Sequence, residues 1–202
     1  MNARIPLRDS EHFRAEQLRI GGERVGRDRN LDVLNPFTRE RVGTVPLASL
    51  EDVRRAYEIA HAYRPRLSRY ERSAILQKAA SLLRERAEQA SMLITLESGL
   101  CRKDSLYEIG RVADVLVFGA NEALRDDGQV FSCDLTPHGK KRKVITHREP
   151  LQGVITAITP FNHPMNQVAH KVVPSIATNN RMVLKPSEKV PLSAYYIADV
   201  LY

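Results

Sequence analysis

The stretch Gly153–Glu188, GVITAITPFNHPMNQVAHKVVPSIATNNRMVLKPSE, constrains the fold more than any other part of the chain. Gly153 to Ile158 is a short, apolar, β-branched run, the pattern of a strand buried on both faces. Arg181 to Lys185 is a second such run. Between them Met165, Val168, Ala169, Val172, Val173 and Ile176 recur at helical spacing. Pro164 suits the first turn of that helix, where its missing N–H costs nothing. Strand, helix, strand in this order is a βαβ unit, with parallel strands and a right-handed crossover. Ligands of open parallel sheets bind beyond the carboxyl ends of the strands. The segments expected there are Thr159-Pro160-Phe161-Asn162-His163 and Lys185-Pro186-Ser187-Glu188.

Upstream, Leu18–Ile20 and Glu23–Val25 flank Gly21-Gly22, a hairpin signal. Leu31–Leu34, ended by Asn35-Pro36, and Arg41–Val45 read as further short strands. Small antiparallel β structure is expected here, after an arm over Met1–Phe13. Helices follow. Ser49 with Asp52, and Ser68 with Glu71, are capping-box starts. Val53, Ala56, Tyr57 and Ala60 form one apolar stripe; Ile75, Leu76, Ala79, Leu82, Leu83 and Ala87 form a stronger one. A third helix covers Gln89–Glu97 and stops at Gly99. A fourth starts near Asp104 and turns Leu106, Ile109, Ala113, Leu116, Val117 and Ala120 to the core. Packing explains all four stripes.

Gln129–Asp134 and Lys141–Glu149 read as two strands around Pro137-His138-Gly139. The second arm is basic over Lys140, Lys141, Arg142 and Lys143. It fits a solvated hairpin, an edge strand guarded by lysines, or an anion-binding patch, and the guarded edge is the favoured reading. Pro191–Tyr202 has helical character. Two parallel strands cannot cover both faces of a sheet, so more strands are expected to follow, with this chain as the N-terminal part of a longer protein.

Composition narrows the function classes. The net charge of +7 favours acidic partners, but no nucleic-acid-binding module is present to use it. No run of about 18 apolar residues exists to span a membrane. The chain has two cysteines, Cys101 and Cys133, neither in a C-x-x-C pair; a disulfide framework or metal knuckle is not expected, and a reducing cytoplasm is.

Strand–ITPFNHP–helix–strand–KPSE, preceded by an NPFT segment, a helical region and a hairpin leading into Glu149-Pro150, resembles the aldehyde dehydrogenases, the NAD(P)-dependent superfamily. The likeness runs from about Leu18 to the last residue. It implies an α/β fold: the start of a Rossmann-type parallel-sheet cofactor domain with an antiparallel oligomerisation hairpin. Expected segments are an arm over 1–15, a β segment and helices over 16–128, the hairpin over 129–149, and the first βαβα of the dinucleotide fold over 150–202. The resemblance implies that Asn162 donates its amide to a developing oxyanion, a task suited to a neutral, preorganised donor; a helix cap is the alternative for such an Asn. It implies that Lys185 and Glu188, with Ser187 between them, meet the cofactor's adenosine ribose, while Ile158, Thr159, Pro160 and Phe161 line the nicotinamide channel. A carboxylate at 188 repels a 2′-phosphate, which favours NAD, with NADP the alternative.

The family's nucleophilic cysteine, its glutamate base and its glycine-bearing phosphate turn match nothing in the chain; Cys101 and Cys133 stand elsewhere. They are expected downstream, where a thiolate attacks the aldehyde and a carboxylic acid is released by way of a thiohemiacetal. KDSLYEIGRVADVL together with PFNHPMN is similar to phosphonoacetaldehyde dehydrogenases. That implies an anionic small-molecule aldehyde held by Arg111 and His163. Spacing alone gives Arg111 the blander role of a surface partner to Glu108 or Asp114. Two alternatives remain: a dehydrogenase of lactaldehyde, succinate semialdehyde or glyceraldehyde 3-phosphate, and a non-catalytic module that oligomerises or binds polyanions. A homodimer or homotetramer is expected, because the hairpin otherwise leaves an open apolar edge.

Overall fold

The computed structural model describes residues 8–125 and 128–202. Residues 1–7 of the expected arm lie outside them. The remainder of the arm is strand β1 (Asp9–Ala15), which pairs in parallel with β5 (Arg41–Pro46); β5 also pairs antiparallel with β4 (Asn30–Leu34). This corrects both the arm and the all-antiparallel expectation. β1 is polar in sequence, and its place comes from main-chain pairing and ion pairs that carry no periodic signature. The hairpin of β2 (Leu18–Ile20) and β3 (Glu23–Val25) turns at Gly21-Gly22 as expected. Asp199 anchors the region to the end of the chain by accepting from Arg14 (2.7 Å) and Arg19 (2.6 Å).

Four helices follow: α1 (Leu50–Ala62), α2 (Arg69–Glu85), α3 (Ala87–Ser98) and α4 (Arg102–Leu124). Both capping boxes form, and Gly99 ends α3 in the left-handed conformation that glycine adopts without strain. Helix α4 is the spine. It packs against α2 and α3 and against α5 (Pro164–Ala177). Leu76, Leu83, Ile109, Val112, Leu116, Met165, Val168 and Val173 belong to its shared core. The α4–α5 approach is close at Gly119, where a Cβ would stand 2.2 Å from Val173 Cγ1. Not every apolar stripe is buried. Val53 on α1 and Leu106 on α4 are exposed, because α1 meets the body mainly through β2 and β9, and Leu106 lies off the face that α4 turns to its neighbours.

Strands β6 (Val130–Ser132) and β7 (Lys143–Ile145) form the hairpin, shorter than the sequence pattern suggests. Its apolar residues Val130, Phe131, Val144 and Ile145 are all exposed. Strands β8 (Ile155–Ile158) and β9 (Met182–Lys185) pair in parallel on either side of α5, completing the βαβ unit, and α6 (Leu192–Leu201) follows. β8 is not buried on both faces: Thr156 and Ile158 are exposed while Ala157 is buried. The described residues supply two strands to this sheet, and α5 cannot wrap both its faces. No helix among the described residues is long and apolar enough to cross a membrane.

Candidate active site

In the β8–β9 ladder Ile158 sits opposite Lys185, and the Thr159 N–H donates to the Lys185 carbonyl at 3.3 Å. The two strands therefore end level, and the loops that leave them start side by side. They meet again further out, where the Lys189 ammonium lies 4.2 Å from the centre of the Phe161 ring. Phe161, Glu188 and Lys189 line one open cavity of about 360 Å³ with Asp32, Pro36 and Glu97. Lys185 donates to Glu188 at 3.1 Å, and both side chains are exposed on this rim. Glu188's own backbone N–H and Lys185 hold its carboxyl below the ordinary carboxylate value, so it is ionised near neutral pH. Ser187 is buried beneath the pair and accepts from the Lys189 N–H at 3.3 Å. Thr159 is buried, whereas Ile158, Pro160 and Phe161 are exposed.

Asn162 is exposed just before α5 and does not cap it. The helix begins after His163, whose side chain makes no cap bond either. The cap comes from another element. Glu108 of α4, 1 % exposed, accepts from the N–H groups of Met165 (2.8 Å) and Asn166 (2.9 Å) through Oε1. A carboxylate at a helix N-terminus is favoured by unpaired N–H groups and the helix dipole together, by up to about 2 kcal/mol in partly buried settings. Its other oxygen, Oε2, lies 3.7 Å from His163 Nδ1 and is buried without a hydrogen bond. Burial pushes the Glu108 carboxyl up, against the pull of the two N–H donors and His163.

Arg111 stands one helical turn beyond Glu108 and is exposed. Glu108 is turned into the interior, so the surface pair that spacing suggested for these two does not form. Arg111 enters no ion pair among the described residues. The structure thus brings Asn162, His163 and Glu108 of α4 together at the start of α5, with Arg111 exposed one turn further along α4.

A second buried carboxylate repeats the arrangement one element later. Glu97 of α3 accepts from the N–H groups of Leu192 (2.8 Å) and Ser193 (2.9 Å) and from the Ser193 hydroxyl, capping α6. Burial pushes its carboxyl up to about 7, with Glu108 nearby adding to the rise. Each loop of the rim therefore runs into a helix pinned by a glutamate from the α3–α4 pair. Neither glutamate stood out in the sequence, yet a signal exists. Glu97 is in phase with Ala90, Leu93 and Ile94, and Glu108 with Ser105, Val112 and Leu116, all of them buried. A charge in phase with a core stripe marks a buried, partnered group.

Cys101 is exposed at the start of α4 and Cys133 lies in the hairpin, both away from this rim in sequence and element.

Residues 24–202 match the aldehyde dehydrogenase family. The 3-sulfolactaldehyde dehydrogenase of Priestia aryabhattai is 35% identical over 185 residues, covering 91% of this chain and 39% of that protein. Aldehyde dehydrogenase 21 of Physcomitrella patens, solved in complex with the reaction product succinate, is 32% identical with a TM-score of 0.87, covering 93% of this chain and 40% of that one. The NADP-dependent glyceraldehyde-3-phosphate dehydrogenase of Bacillus halodurans C-125, solved with NADP, is 33% identical with a TM-score of 0.81, covering 94% and 40%. The chain thus spans about two fifths of the length of these relatives, and over that length it has their α/β architecture. It belongs to the aldehyde dehydrogenase family.

Proposed function

We propose that this chain is the N-terminal part of an enzyme that oxidises a small anionic aldehyde to its carboxylic acid with NAD(P), and that the aldehyde is phosphonoacetaldehyde and the product phosphonoacetate. The observation that carries the reading is the common rim: β8 and β9 end in register, and the loops bearing Asn162 and the Lys185–Glu188 pair leave side by side. The residues fit a nucleotide. An exposed ammonium and an ionised carboxylate, 3.1 Å apart at a strand end, offer one donor and one acceptor to the vicinal hydroxyls of a ribose. NAD is favoured over NADP, because Glu188 repels a 2′-phosphate. NAD(P) bound there supplies the hydride acceptor; the thiolate nucleophile and general base belong to residues outside this chain.

In this scheme Asn162 donates its amide N–H to the aldehyde oxygen as negative charge develops on it. Arg111 and His163 hold the anionic end of the substrate. A guanidinium presents paired donors to the oxygens of a phosphonate, sulfonate or carboxylate. Relatives named for 3-sulfolactaldehyde, aspartate semialdehyde and glyceraldehyde 3-phosphate support an anionic tail in general. They equally favour a second reading, a sulfonate or carboxylate in place of the phosphonate.

The test is a set of kcat/KM values for the complete enzyme with phosphonoacetaldehyde, sulfolactaldehyde, lactaldehyde, succinate semialdehyde, glyceraldehyde 3-phosphate and uncharged propionaldehyde. Phosphonoacetaldehyde is expected to lead, and Arg111→Ala to reduce its lead over propionaldehyde by about tenfold or more. A preference left intact by both Arg111→Ala and His163→Ala overturns the reading.

A further inference from the structure

We propose that Glu108 is a positioning residue for the anion subsite, holding His163 by one carboxylate oxygen while its other oxygen fixes the α5 N-terminus. The inference rests on the reading that His163 and Arg111 meet the anionic end of the substrate. Three observations carry it. Oε1 is fully used by two first-turn N–H groups of α5, so the carboxylate cannot swing away. Oε2 is buried and has no hydrogen bond, although a buried carboxylate oxygen ordinarily has one. The nearest cationic partner to it is His163 Nδ1 at 3.7 Å, close enough to form that bond with a small rotation of the ring.

The chemistry follows from the two ring nitrogens. With Nδ1–H donating to Oε2, a neutral imidazole turns a lone pair at Nε2 outward, which repels an anion. An imidazolium turns out an N–H and a positive charge instead. An anionic aldehyde therefore selects the protonated ring, and the carboxylate behind it stabilises that state. Substrate capture is coupled to a proton held on His163, and Glu108 sets both the orientation and the charge. The other charged groups on the packed elements are Arg111, one turn on from Glu108 along the same helix, and Glu97 of α3, whose carboxyl Glu108 helps to push up. Among the described residues no other charged side chain is within ion-pair distance of His163.

Glu108→Gln separates the two duties. Its carbonyl still accepts from Met165 and Asn166, so the helix cap survives. Its amide N–H donates to Nδ1, which keeps the ring neutral with only an uncharged N–H facing out. The experiment compares kcat/KM of the complete enzyme for phosphonoacetaldehyde, sulfolactaldehyde and propionaldehyde across pH, in wild type, Glu108→Gln, His163→Ala and the double variant.

In wild type the ratio of sulfolactaldehyde, whose sulfonate keeps a single charge at every pH used, to propionaldehyde is expected to fall as pH rises. Glu108→Gln is expected to lower the ratio about tenfold at the acid end and to flatten its pH dependence. The double variant is expected to be no worse than His163→Ala alone, because the residues act as one unit. A Glu108→Gln effect that is equal for both aldehydes, or that adds in full to that of His163→Ala, overturns the proposal. Should Glu108→Gln not fold, His163→Gln probes the same couple from the surface: loss of the pH dependence supports the proposal and its persistence overturns it. An intact Arg111→Ala and His163→Ala preference, by contrast, sinks the anionic-substrate reading itself.

Discussion

The proposed chemistry of this rim rests on single residues, each with a proposed role that a conservative change removes. Asn162 is exposed, ahead of a helix whose first N–H groups are already taken by Glu108, which leaves its amide available for the proposed oxyanion role. Asn162→Ala in the complete enzyme is expected to lower kcat by about a hundredfold or more, as for other side-chain oxyanion donors, with a smaller change in KM. A fall confined to KM would assign Asn162 to ground-state binding instead. In the proposed cofactor site Glu188 is the residue that disfavours a 2′-phosphate. Glu188→Gln is expected to raise kcat/KM with NADP relative to NAD by about tenfold, since removing a charge next to a phosphate is worth a charge-assisted bond. An unchanged ratio would place cofactor choice elsewhere.

At the scale of elements, the site depends on two helices held at their N-termini by glutamates that belong to other helices. The Glu97 carboxyl stands at about 7 in the folded chain, above the 4.5 of an unperturbed glutamate. The unfolded chain therefore gives up this proton first as pH rises. Stability from this group is greatest below pH 4.5, declines between 4.5 and about 7, and is level above. The decline is on the order of 3 kcal/mol. Glu97→Gln is expected to flatten urea-unfolding stability across that window relative to wild type; an identical slope in both would contradict the assignment. Gly119→Ala tests the α4–α5 contact. It is expected to destabilise by about 2 kcal/mol, with Val173→Ala recovering part of the loss in combination.

These elements also show what a sequence reveals and what it conceals. Capping boxes at Ser49 and Ser68, the Gly99 stop, the Gly21-Gly22 turn and the βαβ unit are local, and local patterns survive folding. The role of Glu108 is non-local: its partners lie more than fifty residues away on α5, and an i,i+3 spacing to Arg111 pointed to the surface instead. The same distance hid β1, whose pairing with β5 is made by backbone rather than by an alternating pattern. The level ends of the two strands were legible because a βαβ unit announces its own strand ends. The residues that hold the loops beyond them in place were not, because a buried charge is recognised by its partners.

For the whole molecule the open features are the hairpin and the two-stranded β8–β9 sheet. Val130, Phe131, Val144 and Ile145 expose an apolar surface next to unpaired backbone, which a second copy of the protein would cover. The complete protein is expected to be a homo-oligomer by light scattering, and Phe131→Asp with Ile145→Asp is expected to yield a smaller species. A monodisperse wild-type monomer at micromolar concentration would count against this. The central claim is that one rim, built by the ends of β8 and β9 and backed by α4, holds both the nucleotide and an anionic aldehyde. A crystal structure of the complete enzyme with NAD and phosphonoacetate tests it most directly. The account predicts the adenosine ribose between Lys185 and Glu188, the product carboxylate at Asn162 and the phosphonate at Arg111 and His163; a nucleotide seated away from Lys185, or a phosphonate remote from Arg111, would contradict it.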